Sequence, residues 1–396
     1  MDQSRYMGML VALLMIMFPS KAWTREDTLL NLLREKGILS SEEVDEIKAE
    51  EGGFLSLKGA KLGLGGELEL EFRDTEKDEG IEDPNARFQL DKFTLNPKVE
   101  FEDTDISLRA EIEFNEDKGF FSEGGVYFGG LPLNSRVFVG LGDRFIGISR
   151  KTEAYPLLGT LLWRYEQIQI NWEGEMSPFY WGIAIGEGLK LGTKQVSEDS
   201  SYKMLADKRN AGDRTGHLEY GIKLGIRPNI GDWGKLDILG FGFWSDLSEG
   251  DKNVLKSRLP NYTSDSDTMA RYGGRVLYNY KFDESRDLTL VGEYAYLEDG
   301  DVDRDGWYVQ CSYKWRFDRT YFRSFEPLIR YGRLDTDWEE AFDKPASWDR
   351  EKITIALITE VAPHVQIKAE YYINDEDTGG RDVDNDELLI QLEVKF

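Results

Sequence analysis

ELLIQLEVKF, residues 387–396, alternates to its last residue. Leu388, Ile390, Leu392, Val394 and Phe396 carry an apolar phase; Leu389, Gln391, Glu393 and Lys395 carry the other, mostly polar one. A period of two puts successive side chains on opposite faces of an extended strand, so this segment has one oily and one wet face. A soluble sandwich and a membrane barrel can both end on such a strand. The choice between them rests on what precedes it.

Upstream, the same pattern repeats. GLGGELELEF (63–72) alternates Leu64, Leu68, Leu70 and Phe72 with Glu67, Glu69 and Glu71. DISLRAEIEF (105–114) sets Ile106, Leu108, Ala110, Ile112 and Phe114 against Ser107, Arg109, Glu111 and Glu113. Between them, 87–101 carries Phe93, Leu95, Val99 and Phe101. Further strands are predicted near 123–130, 135–142, 164–172, 178–187, 216–227, 234–245, 268–280, 286–298, 305–316, 323–333, 350–360, 364–374 and 386–396, sixteen in all. The even number suits an up-and-down membrane barrel.

The connections separate the two architectures. After even-numbered strands they are short, as at 102–105, 132–135, 173–177, 228–233, 282–286, 317–322 and 361–364. After odd-numbered strands several are long and polar, at 143–163, 188–215, 246–267 and 334–349. That alternation is the habit of a transmembrane antiparallel barrel with tight turns at one end and large loops at the other. Aromatics gather at the short-turn ends, among them Phe101, Trp172, Phe179, Trp233, Phe282, Trp315, Phe317, Tyr321 and Phe322, where an interfacial girdle would need them. The expectation is an all-β barrel of about sixteen strands over 61–396, its polar phase lining a lumen. Arg109, Arg136, Arg271 and Arg275 are then candidate lumen-wall residues.

Composition narrows the function. The formal net charge of −26 disfavours nucleic acid, whose phosphates need a basic surface. One cysteine, Cys311, excludes an intramolecular disulfide, and two histidines, His217 and His364, leave little for metal or acid–base chemistry. The mean hydropathy is −0.51, and after the N-terminus no apolar run approaches the ~20 residues of a membrane helix, which leaves barrels as the route across a bilayer. Residues 1–22 read as a signal peptide: Arg5, the apolar run 7–18, then Ser20-Lys21-Ala22; an uncleaved anchor is the alternative. Residues 23–60 read as a helical leader, with Ser40 and Glu43 as a capping box. It is either a spacer or an oligomerisation or cell-wall contact.

The stretch RVFVGLGDRFIGISRKTEAYPLLGTLLWR (136–164) resembles the fifth strand and following loop of the phosphate-selective porin O and P family, and LLNLLREKGILSSEEVDEI resembles that family's leader. The terminal alternating strand ending on Phe396 resembles the assembly signal of bacterial outer-membrane barrels. The resemblance implies a passive channel in the outer membrane of a Gram-negative cell, a homotrimer, with the third outer loop folded inward as a constriction. Its partners would be outer-membrane lipid and lipopolysaccharide, the barrel assembly machinery, and small ions or solutes. Arg144, Arg150, Lys151 and Arg164 match the positions that bind the anion, and suggest mild anion preference. The acidic wall residues Glu67, Glu69, Glu71, Glu111 and Glu113 pull the other way, and the equal alternative is that the basic residues simply pair with wall glutamates and leave a weakly selective pore.

Other chemistry finds little support. There is no G-x-S-x-G, Walker loop or C-x-x-C, so no enzyme and no cofactor are expected. DVDRDG (301–306) starts like a calcium loop but has Ser312 where the twelfth-position Glu belongs. It and the acidic tract 374–387 read as solvated outer loops or weak divalent-cation sites, and no resident metal is assigned. A scaffold or sheath holding an export or redox partner in its lumen is the alternative to the porin; an adhesin-like barrel would need longer loops.

Overall fold

A computed structural model describes residues 54–57, 59–75, 86–115, 118–144, 150–162, 166–195, 203–209, 217–259, 262–263, 265–337, 349–377 and 385–396. The expected signal peptide, and the expected leader before residue 54, lie outside the described residues. The end of the leader differs from expectation: Phe54–Leu57 is a strand, β1, paired antiparallel with residues 60–63. The turn between them passes through Gly59 at φ +83°, a conformation that glycine adopts without strain. The Glu102 N–H donates to the Gly59 carbonyl at 2.8 Å, and residues 59–64 belong with 99–104 to one compact unit.

The barrel strands follow in chain order: β2 (Ala60–Thr75), β3 (Ala86–Phe101), β4 (Ile106–Phe114), β5 (Gly119–Leu131), β6 (Ser135–Gly142), β7 (Gln167–Met176) and β8 (Phe179–Gly186). After an inserted hairpin, β9 (Lys190–Gln195) and β10 (Lys203–Lys208), come β11 (Glu219–Ile226), β12 (Lys235–Asp246), β13 (Thr268–Lys281), β14 (Arg286–Asp299) and β15 (Val302–Arg316). The last four are β16 (Ser324–Asp337), β17 (Asp349–Ala362), β18 (Val365–Asp377) and β19 (Glu387–Lys395). Each is hydrogen-bonded to the next, β8 pairs with β11 across the hairpin, and β19 pairs with β2. Sixteen antiparallel strands close on themselves.

The two phases of each strand separate as the alternation requires, but the burial is the reverse of a soluble protein's. Ile329, Ile355, Leu357 and Ile390 are exposed, whereas Gln391, Glu393, Glu69, Glu71 and Glu370 are buried. An outer surface of exposed Ile, Leu and Val with polar groups turned inward is the surface of a barrel that sits in lipid. At the short-turn ends Trp233, Tyr321, Phe322, Phe179 and Phe282 are all exposed, as residues of an interfacial girdle must be. Several of these turns need a left-handed residue, at Asp103, Leu133, Asn134, Phe322 and His364.

Three expectations change. The acidic stretch DVDRDG is no loop: from Val302 onward it is the start of β15, so Asp303 and Asp305 sit at ladder positions paired with β14 and β16. The connection 188–215 contains the β9–β10 hairpin, and 246–267 contains a helix, Glu249–Arg258. All three show locally polar sequence ordered by partners remote in the chain.

The seam between β19 and β2 depends on the last residue. The Phe396 N–H donates to the Gly66 carbonyl at 3.0 Å, and the Gly66 N–H returns a bond to the Phe396 carbonyl at 2.9 Å. The Phe396 ring lies over Gly66, where a Cβ would meet its Cζ at 2.5 Å, and it stacks against Phe93 at 6.1 Å. Deleting Phe396 should abolish accumulation of heat-modifiable barrel in membrane fractions, and Gly66→Val should reduce it, because the ring then loses its seat. Normal barrel levels after the deletion would contradict this role.

Candidate functional site

The connection after β6 determines how the lumen is used. It holds α1 (Leu157–Leu162), whose Leu157, Leu158, Leu161 and Leu162 are all buried. They pack with Met204 and Ala206 of β10 and with inward-facing Phe241, Phe243, Ala295, Leu297, Tyr308 and Leu334 of the wall. Four leucines in a loop have no reason to face water. Each contributes roughly 1.5–3 kcal/mol when buried, and this patch inside the barrel supplies the apolar surface to bury them. Gly306 leaves room for the contact, since a Cβ there would lie 3.3 Å from Leu158. Tyr155 joins the cluster; Ile146 and Ile148 lie outside the described residues.

Two sets of polar bonds fix the loop. At its start Arg144 is fully buried. Its guanidinium donates to both oxygens of Glu219 on β11, to Asp207 on β10 at 2.7 Å and to the Leu162 carbonyl at 2.8 Å. Asp207 also accepts from Arg271 of β13 at 2.8 Å, Arg271 reaches Asp299 at 2.7 Å, and Asp299 pairs with Arg304, which holds the Leu205 carbonyl at 3.0 Å. Three arginines thus share three carboxylates in one chain of ion pairs. Burial pushes the Asp207 carboxyl up, but the Arg271 and Arg144 guanidiniums outweigh it and hold it below the usual carboxylate range. A carboxylate depressed in this way stabilises the fold above its unfolded value, and the contribution is lost only as pH falls through the lowered one, so the lock is intact through the neutral range.

The second set lies across the lumen. Lys151 pairs with Glu326 of β16 and donates to Ser312 at 3.0 Å. Arg330 of β16 donates to Thr152 Oγ1 at 2.6 Å and to the Ala154 carbonyl at 3.2 Å. The Glu153 N–H donates to Glu370 of β18 at 2.8 Å, and Gln391 of β19 donates to the Glu153 carboxylate at 3.0 Å. Burial raises the Glu153 carboxyl, but Arg150, 3.0 Å away, and Gln391 overcome it and hold it low. β16 is eight strands from β6 around the ring in either direction. The loop therefore crosses the barrel to the opposite wall.

The hairpin and α2 (Glu249–Arg258) occupy the neighbouring space. Ser248 caps α2 with a full capping box to Asp251, and Asp251 also accepts from the Leu191 N–H at 2.7 Å. Leu191, Leu205, Leu247, Leu255, Leu259, Tyr262, Met269 and Val302 pack together as a second cluster.

What remains beside the loop is a cavity of about 560 Å³ lined by β3 to β7. Arg109 and Arg136 line it and are exposed although they point inward, so water reaches them within the barrel. Tyr127 lies between them, its ring 4.9 Å from the Arg109 guanidinium and 5.8 Å from that of Arg136. Glu111, Glu123 and Asp143 line the same cavity.

The residues matched to an anion site thus divide. Arg144 and Lys151 are committed to ion pairs that anchor the loop to hairpin and wall, Arg150 pairs with Glu153 within the loop itself, and Arg164 lies outside the described residues. Of the lumen-wall candidates, Arg271 is in the buried ion chain and Arg275 is buried opposite Glu293, while Arg109 and Arg136 face the cavity. Sequence reasoning missed Asp207, Glu219, Asp299, Arg304, Glu326, Glu370 and Gln391 as anchors. Leu189, Leu191 and the run Met204-Leu205-Ala206 in an otherwise polar connection were the available signal.

No family model matches this chain, and no curated protein matches it. Solved structures do. OprB of Pseudomonas putida is 11% identical over 86% of this chain and 94% of its own, with a TM-score of 0.58. The outer membrane channel DcaP of Acinetobacter baumannii is 12% identical over 87% of this chain and 100% of its own, with a TM-score of 0.56. An anion-selective porin from Comamonas acidovorans is 12% identical over 85% and 99%, with a TM-score of 0.52. At such identities the likeness is one of fold: this chain has the fold of outer-membrane porin barrels.

Asp207 is the point at which loop, hairpin and wall meet. Asp207→Asn should leave two buried guanidiniums short of a countercharge and cost roughly 3 kcal/mol. The expected readouts are a lower midpoint of heat-modifiability and faster protease cleavage within 143–163. Unchanged values in both would remove Asp207 from the lock.

Proposed function

We propose that this barrel is an outer-membrane porin, a water-filled channel for passive diffusion of small hydrophilic solutes and ions. The observation that carries it is the inward-facing but exposed pair Arg109 and Arg136 in a cavity that the crossing loop leaves open. A loop anchored to opposite walls narrows a channel without closing it. The sheath alternative is less favoured, since much of the lumen is filled by this chain's own leucine cluster and hairpin.

Selectivity in this reading is weak. Arg144, Arg150 and Lys151 contribute little net field because each is paired. A mild anion preference then rests on Lys98, Arg109 and Arg136, opposed by Glu111, Glu123 and Asp143 in the same cavity. A pore responds chiefly to charges at its narrow part, where low-dielectric walls focus the field. The resemblance to the phosphate-selective porins supports the channel through the crossing loop and barrel layout. A homotrimer, lipopolysaccharide contact and delivery by the barrel assembly machinery belong to the same proposal.

Planar-bilayer recording tests it. Purified protein should give ohmic steps, and shortening 143–163 should raise the unit conductance by roughly two-fold or more as the lumen widens. In a salt gradient the reversal potential should stay near zero and move toward cation preference in Arg109→Gln/Arg136→Gln. A barrel that never conducts, with or without the loop, would contradict the porin.

A further inference from the structure

The cavity beside the loop is not uniformly charged; the strand register orders its charges along the channel. Arg136 pairs with Glu173 across β6 and β7, next to the short turn that precedes β6. Two residues further from that turn, Ser107, Tyr127, Phe138 and Asn171 form one cross-strand row. Arg109, Gly125, Gly140 and Gln169 form the next, and Glu111 opposite Glu123 the one after. Asp143 follows β6 at the long-loop end. Moving inward from that end, a solute meets carboxylates first, then Arg109 roughly 7 Å on, the length of two strand residues, and then Arg136 two rows beyond Arg109.

On the acidic side, carboxylate oxygens of Glu123, Asp143 and Glu166 lie within 4.8 Å of one another, a crowding of like charges that an ammonium between them would relieve. On the basic side the Tyr127 ring positions both arginines, and Glu173 is shared by Arg136 at 3.7 Å and Lys223 at 3.4 Å, one carboxylate between two cations. An independent feature lies in the same cavity. Asn171 is 5% exposed, lines the cavity, and its Oδ1 has no hydrogen-bond partner among the described residues. A buried amide acceptor without a partner is costly unless something occasionally donates to it.

We propose that this cavity is a weak binding station for a small zwitterion, a solute of amino-acid type carrying one ammonium and one carboxylate. The ammonium faces Glu111, Glu123 and Asp143, and the carboxylate faces Arg109 and Arg136. An inorganic anion or a simple cation gains at one half and is repelled at the other. A neutral polar solute gains at neither. A zwitterion satisfies both at once, in the orientation that the field imposes. This inference rests on the channel reading.

Proteoliposome swelling separates these classes of solute. Isosmotic alanine, lactamide and lactate have nearly equal size and differ in charge. Alanine should enter at least three-fold faster than lactamide and faster than lactate. The alanine-to-lactamide ratio should fall toward one in Arg109→Gln/Arg136→Gln and again in Glu111→Gln/Glu123→Gln. Lactamide entering as fast as alanine, or lactate faster than both, would overturn the zwitterion station while leaving the pore standing. Exclusion of all three would overturn the channel reading and this inference with it.

Discussion

A strand in hydrocarbon has nowhere to place its backbone N–H and C=O groups except on another strand, and an open sheet edge would leave a row of them unpaired at several kcal/mol each. Closing the sheet is the remedy, and the remaining features follow from it. Closure puts alternate side chains outward, so the outside is exposed Ile, Leu and Val, and it forces the other phase into a confined lumen. It also makes the meeting of the last strand with the first a critical join, with Phe396 and Gly66 sealing one end of it.

The lumen is then the problem to be solved. A chain with an acidic excess and this many inward carboxylates is stabilised by pairing them. The structure answers with long connections that turn inward and bring basic groups with them. Arg144 and the loop residues after it neutralise Glu219, Asp207, Glu326 and Glu370 on the wall or hairpin by ion pairs and backbone donors, and the leucines of α1 remove apolar wall surface from water. Buried ion pairs are weak sources of stability compared with apolar packing of the same volume, but breaking one partner is expensive. That asymmetry suits a constriction, which must hold one position more than it must be stable.

The strands, turns and their number were legible because period-two alternation and turn residues are local signals. The short-to-long rhythm of the connections and the girdle aromatics were legible for the same reason. The interior was not. Arg144 and Glu219 are 75 residues apart, and Lys151 and Glu326 are 175 apart. No local pattern says which charge meets which. The basic loop was therefore read as an anion site, although Arg144 and Lys151 anchor the loop and Arg150 pairs with Glu153 within it. Arg109 and Arg136, two undistinguished alternate residues on wall strands, face the water. The hairpin was hidden by its surrounding polarity, since β9 and β10 pair only with each other and fold onto neighbours supplied by β13, β15 and α2.

The constriction stands on a loop that crosses the barrel and is held at the far wall. Thr152→Cys with Arg330→Cys in a Cys311→Ser background places thiols where the loop meets β16, while the ties of Lys151, Glu153 and Ala154 to that side remain. A short bismaleimide applied to assembled barrels in native membranes should link the two introduced thiols in most molecules, whereas Thr152→Cys with Arg136→Cys on β6 should not link. Failure of the first pair to link, with the loop thiol freely labelled by a bulky reagent from outside the cell, would place the loop away from β16 and contradict the constriction.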